Sequence, residues 1–393
     1  MEQAADELLA ILEEKGFFAY KVGGFVRDKL LGLPVQDIDI ATSASPDQVM
    51  SLFPKVIPTG IQHGTVTVHW KEQSFEVTTF RKDLGYADHR HPLGVEFVDD
   101  ITVDLGRRDF TINAMAMDLQ GNLIDPFNGK QDLGKSILRA VGNPYERFEE
   151  DALRILRGLR FSIRYALQIE SATWAAMKAT SAGLNQISKE RIRDEMIKMI
   201  EGDHPVRAID LLAAEGILPF SDWRSKALKL SQHPNKHWTN QCENTALRWA
   251  ALCFEDSAEE AKQFLMLWRF PKKFIQEVAV CLEIAQLPLE GEREAKRLLL
   301  RYGIEKVKQC RALSRAFYNP FSIDDECLNH WDQQILLRDM KQLAVTGEDL
   351  MLDSSKPSGP WIGRTLQYLF EQVSLEGMPN DRELLLKEAR KLG

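Results

Sequence analysis

Asp37-Ile38-Asp39 places two carboxylates two positions apart in a stretch, Val35 to Ala41, where polar and apolar residues alternate. Successive side chains of a β-strand point to opposite faces, so Asp37 and Asp39 share one face and Ile38 and Ile40 the other. Two neighbouring carboxylates can bind two divalent ions, one lowering the pKa of an attacking hydroxyl, the other holding a triphosphate and its leaving oxygen. Mg²⁺ suits such a pair, because it prefers hard oxygen ligands and keeps water and substrate phosphates in its shell. A solvated strand face gives the same alternation, so the surroundings must decide. Glu76, on a second alternating run with Thr78 and Phe80, is either a third acid near the metals or a solvated hairpin position.

The segment before the acids supplies a phosphate site. Phe17 to Val22 reads as a strand ending at Gly23-Gly24, and Phe25 to Leu31 reads as a helix stopped by Gly32. Free N–H groups at a helix N-terminus attract phosphate, and Arg27 can add charge. Gly23, Gly24 and Arg27 are therefore candidate triphosphate-binding residues. Further along, Arg107-Arg108-Asp109-Phe110-Thr111-Ile112-Asn113 is a charged cluster leading into what reads as an apolar helix. Glu150 to Arg157 also has helical spacing, with Glu150, Arg154 and Arg157 on one stripe, Asp151 at its edge, and Leu156 and Leu159 facing away. By itself that stripe can be a plain ion-pair face.

Taken together, GGFVRD at 23 to 28, DID at 37 to 39, RRDFTINAMA at 107 to 116 and EDALRILR at 150 to 157 resemble the class II nucleotidyltransferases. That family contains bacterial tRNA CCA-adding enzymes and poly(A) polymerases, and the match in order and spacing spans roughly residues 15 to 165. The resemblance implies an α+β fold: a polymerase-β-like palm, a small mixed sheet with helices, followed by an elongated all-α neck, body and tail. It implies two-metal chemistry with Mg²⁺ on Asp37 and Asp39, and leaves Glu76 either a third ligand or a solvated hairpin position. Arg108, Asp109 and Asn113 would recognise ribose and triphosphate. Asp151 and Arg154 would pair with the incoming base, and Glu150 and Arg157 would complete the nucleotide pocket.

The implied base pair makes chemical sense. Cytosine and adenine each present an amino donor beside a ring-nitrogen acceptor. A carboxylate accepts from the first and a guanidinium donates to the second. Guanine and uracil present the reverse pattern and would be rejected. The expected substrates are thus CTP, ATP and a tRNA 3′ end, with C, C and A added without a template and pyrophosphate released. The polar loop Tyr86 to His91 adds detail. His89 and His91 suggest a metal site by composition, but in CCA-adding relatives a flexible loop here, with Asp88 and Arg90, helps switch the pocket from cytidine to adenosine. Rival readings are an A-adding or CC-adding enzyme, a poly(A) polymerase, and an inactive RNA-binding protein of the same fold.

The elements that must carry these groups change character along the chain. The first part reads as β-rich, with a helix over Asp6 to Lys15, a short helix capped by Ser45-Pro46, and a hairpin of Thr65 to Trp70 with Phe75 to Phe80. From Asn143 onward the pattern is helical. The expected division is a palm at 1–135, a neck at 136–200, a body at 201–305 and a tail contacting tRNA at 306–393. The net charge of -8 and pI of about 5.6 exclude a bulk nucleic-acid binder, leaving RNA contacts to local basic clusters. The five cysteines are scattered, with no Cys-x-x-Cys pair, and read as reduced thiols. No apolar run suits a membrane span or signal peptide, so the expected location is cytoplasmic, with no membrane partner; a homodimer is left open.

Overall fold

The first amphipathic run forms α1 (Glu2–Glu14), burying Leu8, Leu9 and Leu12, and leads into β1 (Ala19–Val22). In the computed structural model, residues 1–85, 94–214, 216–287, 291–318, 323–354 and 357–392 are described. After β1 come α2 (Gly24–Leu30), β2 (Asp39–Thr42) and α3 (Pro46–Leu52). Ser45 and Gln48 close a capping box at the start of α3, with proline at its first position. The strands β3 (Val56–Gly60), β4 (Thr65–Trp70) and β5 (Gln73–Thr79) follow. Lys71 and Glu72, at φ 47° and 63°, form the two-residue turn between β4 and β5. Positive φ at both positions lets so short a turn follow the right-handed twist of the strands.

A side ribbon pairs β6 (Arg81–Asp83) with β7 (Val95–Phe97). Then come α4 (Ile101–Gly106), β8 (Ala116–Met117), β9 (Leu123–Ile124), α5 (Gly129–Gly134) and β10 (Ile137–Leu138). The main sheet has the order β3-β4-β5-β2-β1-β8-β9. Within it, β2 and β5 run parallel and the other neighbours antiparallel. Val22, Ala41, Phe80, Leu105, Ala114 and Ala116 form a core beneath it. The same compact unit, Met1–Lys236, continues through α6 (Pro144–Glu150), α7 (Leu153–Arg164), β11 (Gln168–Ile169), α8 (Ser171–Thr180), α9 (Lys189–Ile200), α10 (Pro205–Ala213) and α11 (Ser221–Gln232).

The second unit, His237–Gly393, is helical among its described residues. It holds α12 (Trp238–Gln241), α13 (Thr245–Leu252), α14 (Ala258–Leu267), α15 (Lys272–Gln286), α16 (Glu292–Tyr302), α17 (Ile304–Phe317), α18 (Asp325–Gln333), α19 (Gly347–Ser354), α20 (Pro360–Glu376) and α21 (Arg382–Arg390). Leu369, Val373 and Leu385 centre one core cluster, and Leu299, Val307 and Leu328 another. All five cysteines are free, and only Cys327 is exposed. No described helix is long and apolar enough to cross a membrane. A mixed sheet with helices, followed by a long all-α part, is the expected α+β arrangement.

Three local expectations change. The strand expected from Val35 begins only at Asp39, because its partner β1 ends at Val22, opposite Asp39, and the chain turns at Gly23. Asp37 therefore precedes the ladder. The run after Arg107 is not a helix: Thr111–Asn113 makes one 3₁₀ turn, and Ala116–Met117 joins the sheet beside β1. So short an apolar run fits either period, and the open side of β1 offers it hydrogen bonds, including Gly23 N–H to the Met115 carbonyl at 3.2 Å. Finally, Glu150 to Arg157 is broken. Asp151 is extended, at φ -143° and ψ 102°, and its carboxylate accepts from Leu153 N–H at 3.0 Å, starting α7 afresh.

Gly129 allows α5 to lie against the 3₁₀ turn: a Cβ there would sit 2.2 Å from the Thr111 carbonyl oxygen, whereas one at Gly134 would meet nothing within 4 Å. Rigid backbone cannot yield to that contact. Gly129→Ala should therefore lower unfolding free energy by about 2 kcal/mol, and Gly134→Ala should be neutral or slightly stabilising. Urea denaturation of the two variants checks this; equal midpoints would refute it.

Candidate active site

Sheet register assembles the acidic centre. Val22 lies opposite Asp39 on one side of β2, and Ile40 lies beside Val77 on the other. One step back along the parallel register, Asp39 stands level with Glu76, and the residue after Val22 is Gly23. Asp37, Asp39 and Glu76 are exposed while Ile38, Ile40 and Val77 are buried, as the alternation predicts.

These three carboxylates have no hydrogen bond or ion pair with any described residue. Asp39 keeps access to solvent, yet the protein around it removes enough water to push its carboxyl above the ordinary value. The charges of Glu76 and Asp37 add to that push, and Arg108 opposes it. An acidic group left unpaired and self-repelling fits a divalent cation. No three Asp, Glu, His or Cys side chains among the described residues converge into a closed metal cage. An open pair of oxygen ligands completed by water and phosphate is the form Mg²⁺ favours.

Beside the acids, Gly23 adopts φ 65°, a conformation that disfavours any side chain, and a Cβ there would lie 2.9 Å from Arg108 Nη1. Arg108 is held by Asp104, whose Oδ2 accepts from Nη2 at 3.3 Å. Its Nε is buried without a partner among the described residues. Arg108 thus brings cationic charge to the glycine turn. Arg27 is placed differently from a free phosphate ligand. It is buried, donates from Nε to Asp28 at 2.8 Å and from Nη1 to Asn113 Oδ1 at 2.5 Å, and stacks 4.4 Å from the centre of Tyr165. It braces the turn from behind.

Asn113 continues this chain, donating from Nδ2 to Asp109 Oδ1 at 3.0 Å. Asp109 Oδ1 also accepts from Phe110 N–H at 2.9 Å, while Oδ2 takes both Arg157 Nε at 2.8 Å and Nη2 at 2.7 Å. About four acceptor positions are all a carboxylate has, so those of Asp109 are filled. Burial alone would raise its carboxyl, but Arg157 and the Asn113 amide outweigh burial and hold it at about 2.

Asp151 and Arg154, the two residues expected to pair with the incoming base, have separate partners in the protein. Asp151 Oδ2 accepts from Arg191 Nη2 on α9 at 3.0 Å. Arg154 donates to Glu150 Oε2 at 2.5 Å and to the carbonyls of Arg147 and Arg107 at 3.0 and 3.2 Å. Sequence reasoning missed Arg191, Asp104 and Asp28. Arg191 sits in the first turn of α9 behind Ser188, where no pattern linked it to Asp151; Asp104 was detectable only as an i+3 and i+4 partner of Arg107 and Arg108. Asp88, Arg90, His89 and His91 lie outside the described residues.

The Asp109 pair has a pH signature. A carboxyl held below its ordinary value adds stability above that value and loses it as pH falls through the folded value, here from about 4 down to about 2. The contribution is about 2 kcal/mol. Asp109→Asn should be less stable at neutral pH and should show a flatter stability curve across that acid window. Parallel acid curves for parent and variant would count against it.

Known proteins resemble this chain over nearly its whole length. The Poly A polymerase head domain model matches residues 19–139, a model for an RNA and SrmB-binding site of polymerase A matches 166–221, and the tRNA nucleotidyltransferase domain 2 model matches 240–389. The CCA-adding enzyme of Geobacillus sp. (strain WCH70) is 38% identical, with 95% of this chain and 93% of the relative aligned. That of Geobacillus stearothermophilus is 37% identical over 97% of this chain and 95% of its own. The structure of the Bacillus stearothermophilus CCA-adding enzyme in complex with CTP superposes with TM-score 0.84 at 33% identity, covering 99% of this chain and 98% of the other. With nearly the whole length shared at this identity, the chain belongs to the CCA-adding enzyme family.

Proposed function

We propose that this chain adds C, C and A to the 3′ end of tRNA without a template, using CTP and ATP and releasing pyrophosphate. One observation carries the site reading: Arg108 and Arg107, which share Asp104, connect the neighbourhood of the acids and the glycine turn to Arg154. Arg108 lies by Gly23 and Asp39, shares Asp104 with Arg107, and the Arg107 carbonyl accepts from Arg154. Poly A polymerase names attach to residues 19–139 and 166–221, and the tRNA nucleotidyltransferase match over 240–389 favours tRNA as the acceptor. With tRNA as substrate we infer a cytoplasmic enzyme. Within the chain we take the palm as 1–135, the neck as 136–200, the body as 201–305 and the tail as 306–393.

Asp37 and Asp39 would hold divalent ions, which we take to be Mg²⁺, with Glu76 adding negative charge beside them. Bound there, the ions would lower the pKa of the RNA 3′-hydroxyl and neutralise the triphosphate. The 3′-oxygen releases its proton to solvent and bonds to the α-phosphorus as the bond to pyrophosphate breaks. The backbone N–H of Gly24 and the side-chain-free turn at Gly23, with Arg108, grip the triphosphate, and Arg27 keeps the turn in shape. Asp109 and Asn113 meet the ribose by exchanging one of their present partners. Asp151 accepts from the amino group of cytosine or adenine, and Arg154 donates to the ring nitrogen. Glu150 aims Arg154, and Arg157 aims Asp109.

Transcripts ending before CCA, at C and at CC, each supplied with one labelled nucleotide, test the assignment. CTP should extend the first two and ATP the last; failure of either step would overturn full CCA addition.

The acidic centre predicts a metal-linked stability. Because the Asp39 carboxyl is held above its ordinary value, its ionisation costs stability at neutral pH, and the cost is relieved as pH falls or a cation binds. Metal-free Asp39→Asn should therefore melt higher than metal-free parent, gain less from added Mg²⁺, and transfer no nucleotide. An equal Mg²⁺-induced rise in Tm for both proteins would refute the metal role.

A further inference from the structure

Asp151 and Arg154 are anchored independently, each to a different part of the fold. Arg154 is fixed by α6 through Glu150 and the Arg147 carbonyl, and by the Arg107 carbonyl. Asp151 is fixed by α9, through Arg191. We propose that Arg191 is a specificity-determining positioning residue: it holds the Asp151 carboxylate so that its free acceptor positions face the amino group of the incoming base. The inference rests on the reading that Asp151 accepts from that amino group.

Lone-pair accounting supports the assignment. Asp151 Oδ1 takes the Leu153 N–H at 3.0 Å and Oδ2 takes Arg191 Nη2 at 3.0 Å. One further position remains on each oxygen. A carboxylate on an extended residue between two helices would otherwise turn about its side-chain torsions, and an acceptor that turns loses the directionality that separates an amino group from a carbonyl. The Leu153 N–H and Arg191 fix it from two sides.

Arg191 is itself well placed for this task. It lies on α9, whose Glu195, four residues on, accepts from Arg160 of α7 at 2.6 Å. Two ion pairs of opposite polarity, Arg191 to Asp151 and Glu195 to Arg160, therefore key α9 to the segment carrying the base reader. Arg191 also has a second donor, Nη1, buried and without a partner among the described residues.

This makes amino-group recognition depend on a residue that touches no substrate. Loss of Arg191 should harm cognate nucleotides selectively. CTP and ATP each lose a well-aligned charge-assisted hydrogen bond, whereas UTP, which never made it, loses little.

Steady-state extension by Arg191→Gln, Arg191→Lys and Asp151→Asn in the full chain tests this, with CTP, ATP and UTP on the tRNA transcripts described above. Arg193→Gln, on the same helix but paired with Asp194, is the control. Arg191→Gln should raise KM for CTP and ATP about tenfold and lower discrimination against UTP by about the same factor. Arg191→Lys should recover part of both, and Arg193→Gln should match the parent. Calorimetric titration with CTP and with UTP should show the same loss for CTP alone. A merely structural role would lower Tm and depress all three nucleotides together.

If Asp151→Asn loses discrimination while Arg191→Gln keeps it, Arg191 has no part in selection. If Asp151→Asn itself keeps discrimination, the base-reading role of Asp151 fails and this inference falls with it. Should Arg191→Gln not fold, Arg191→Lys decides, since replacing the fork by a point charge must still weaken CTP relative to UTP.

Discussion

The Asp109 carboxylate is the constraint on which the catalytic unit depends. It is buried, ionised and saturated, with Arg157 on one oxygen and the Asn113 amide and Phe110 N–H on the other. A buried charge is tolerated only when its partners are complete, so none of these groups can leave unless another donor takes its place. Their positions transmit the constraint. Asn113 passes it to Arg27, behind the glycine turn, and Arg157 passes it to α7, which starts next to the base reader. Residues 107 to 113 thereby join sheet and helices through side chains, although the segment itself has almost no regular structure.

The acidic centre follows the opposite logic. Around Asp109 every acceptor is satisfied; around Asp39 the carboxylates have no partner among the described residues and repel one another. Folding tolerates this because backbone pairing holds β2 between β1 and β5, so Asp39 needs no side-chain partner to be fixed in place. On the proposed reading, the site gives up some stability in exchange for affinity toward cations and phosphate. Gly23 works similarly, since a positive φ and the nearness of Arg108 leave no room for a side chain.

Local chemistry was readable in the sequence where it depended on one element. Alternation placed Asp37 and Asp39 on the exposed face and Ile38 and Ile40 in the core, and Ser45-Pro46 announced α3. Long helices were also readable from their apolar spacing. What could not be read were the choices made by tertiary pairing. Whether Ile112 to Met117 became helix or strand was settled by the open side of β1. Whether Glu150 to Arg157 stayed one helix was settled by a carboxylate that caps the next turn. The partners of Arg27, Asp151 and Asp109 lie far along the chain, at |i−j| of 86, 40 and 48, where no spacing rule reaches.

The broken helix is the most informative of these differences. On a continuous helix, Asp151 and Arg154 would lie a turn apart and neutralise each other as an i,i+3 pair, leaving little hydrogen-bonding capacity for a base. Breaking the helix at Asp151 separates them: the carboxylate joins Arg191, and the guanidinium joins Glu150 and two backbone carbonyls. In the proposed role, each would meet a nucleotide already oriented and still charged, held by a partner that need not leave. A protein that reads bases without a template must substitute fixed side chains for a complementary strand, and fixing the two halves of the proposed reader from different helices would supply that rigidity.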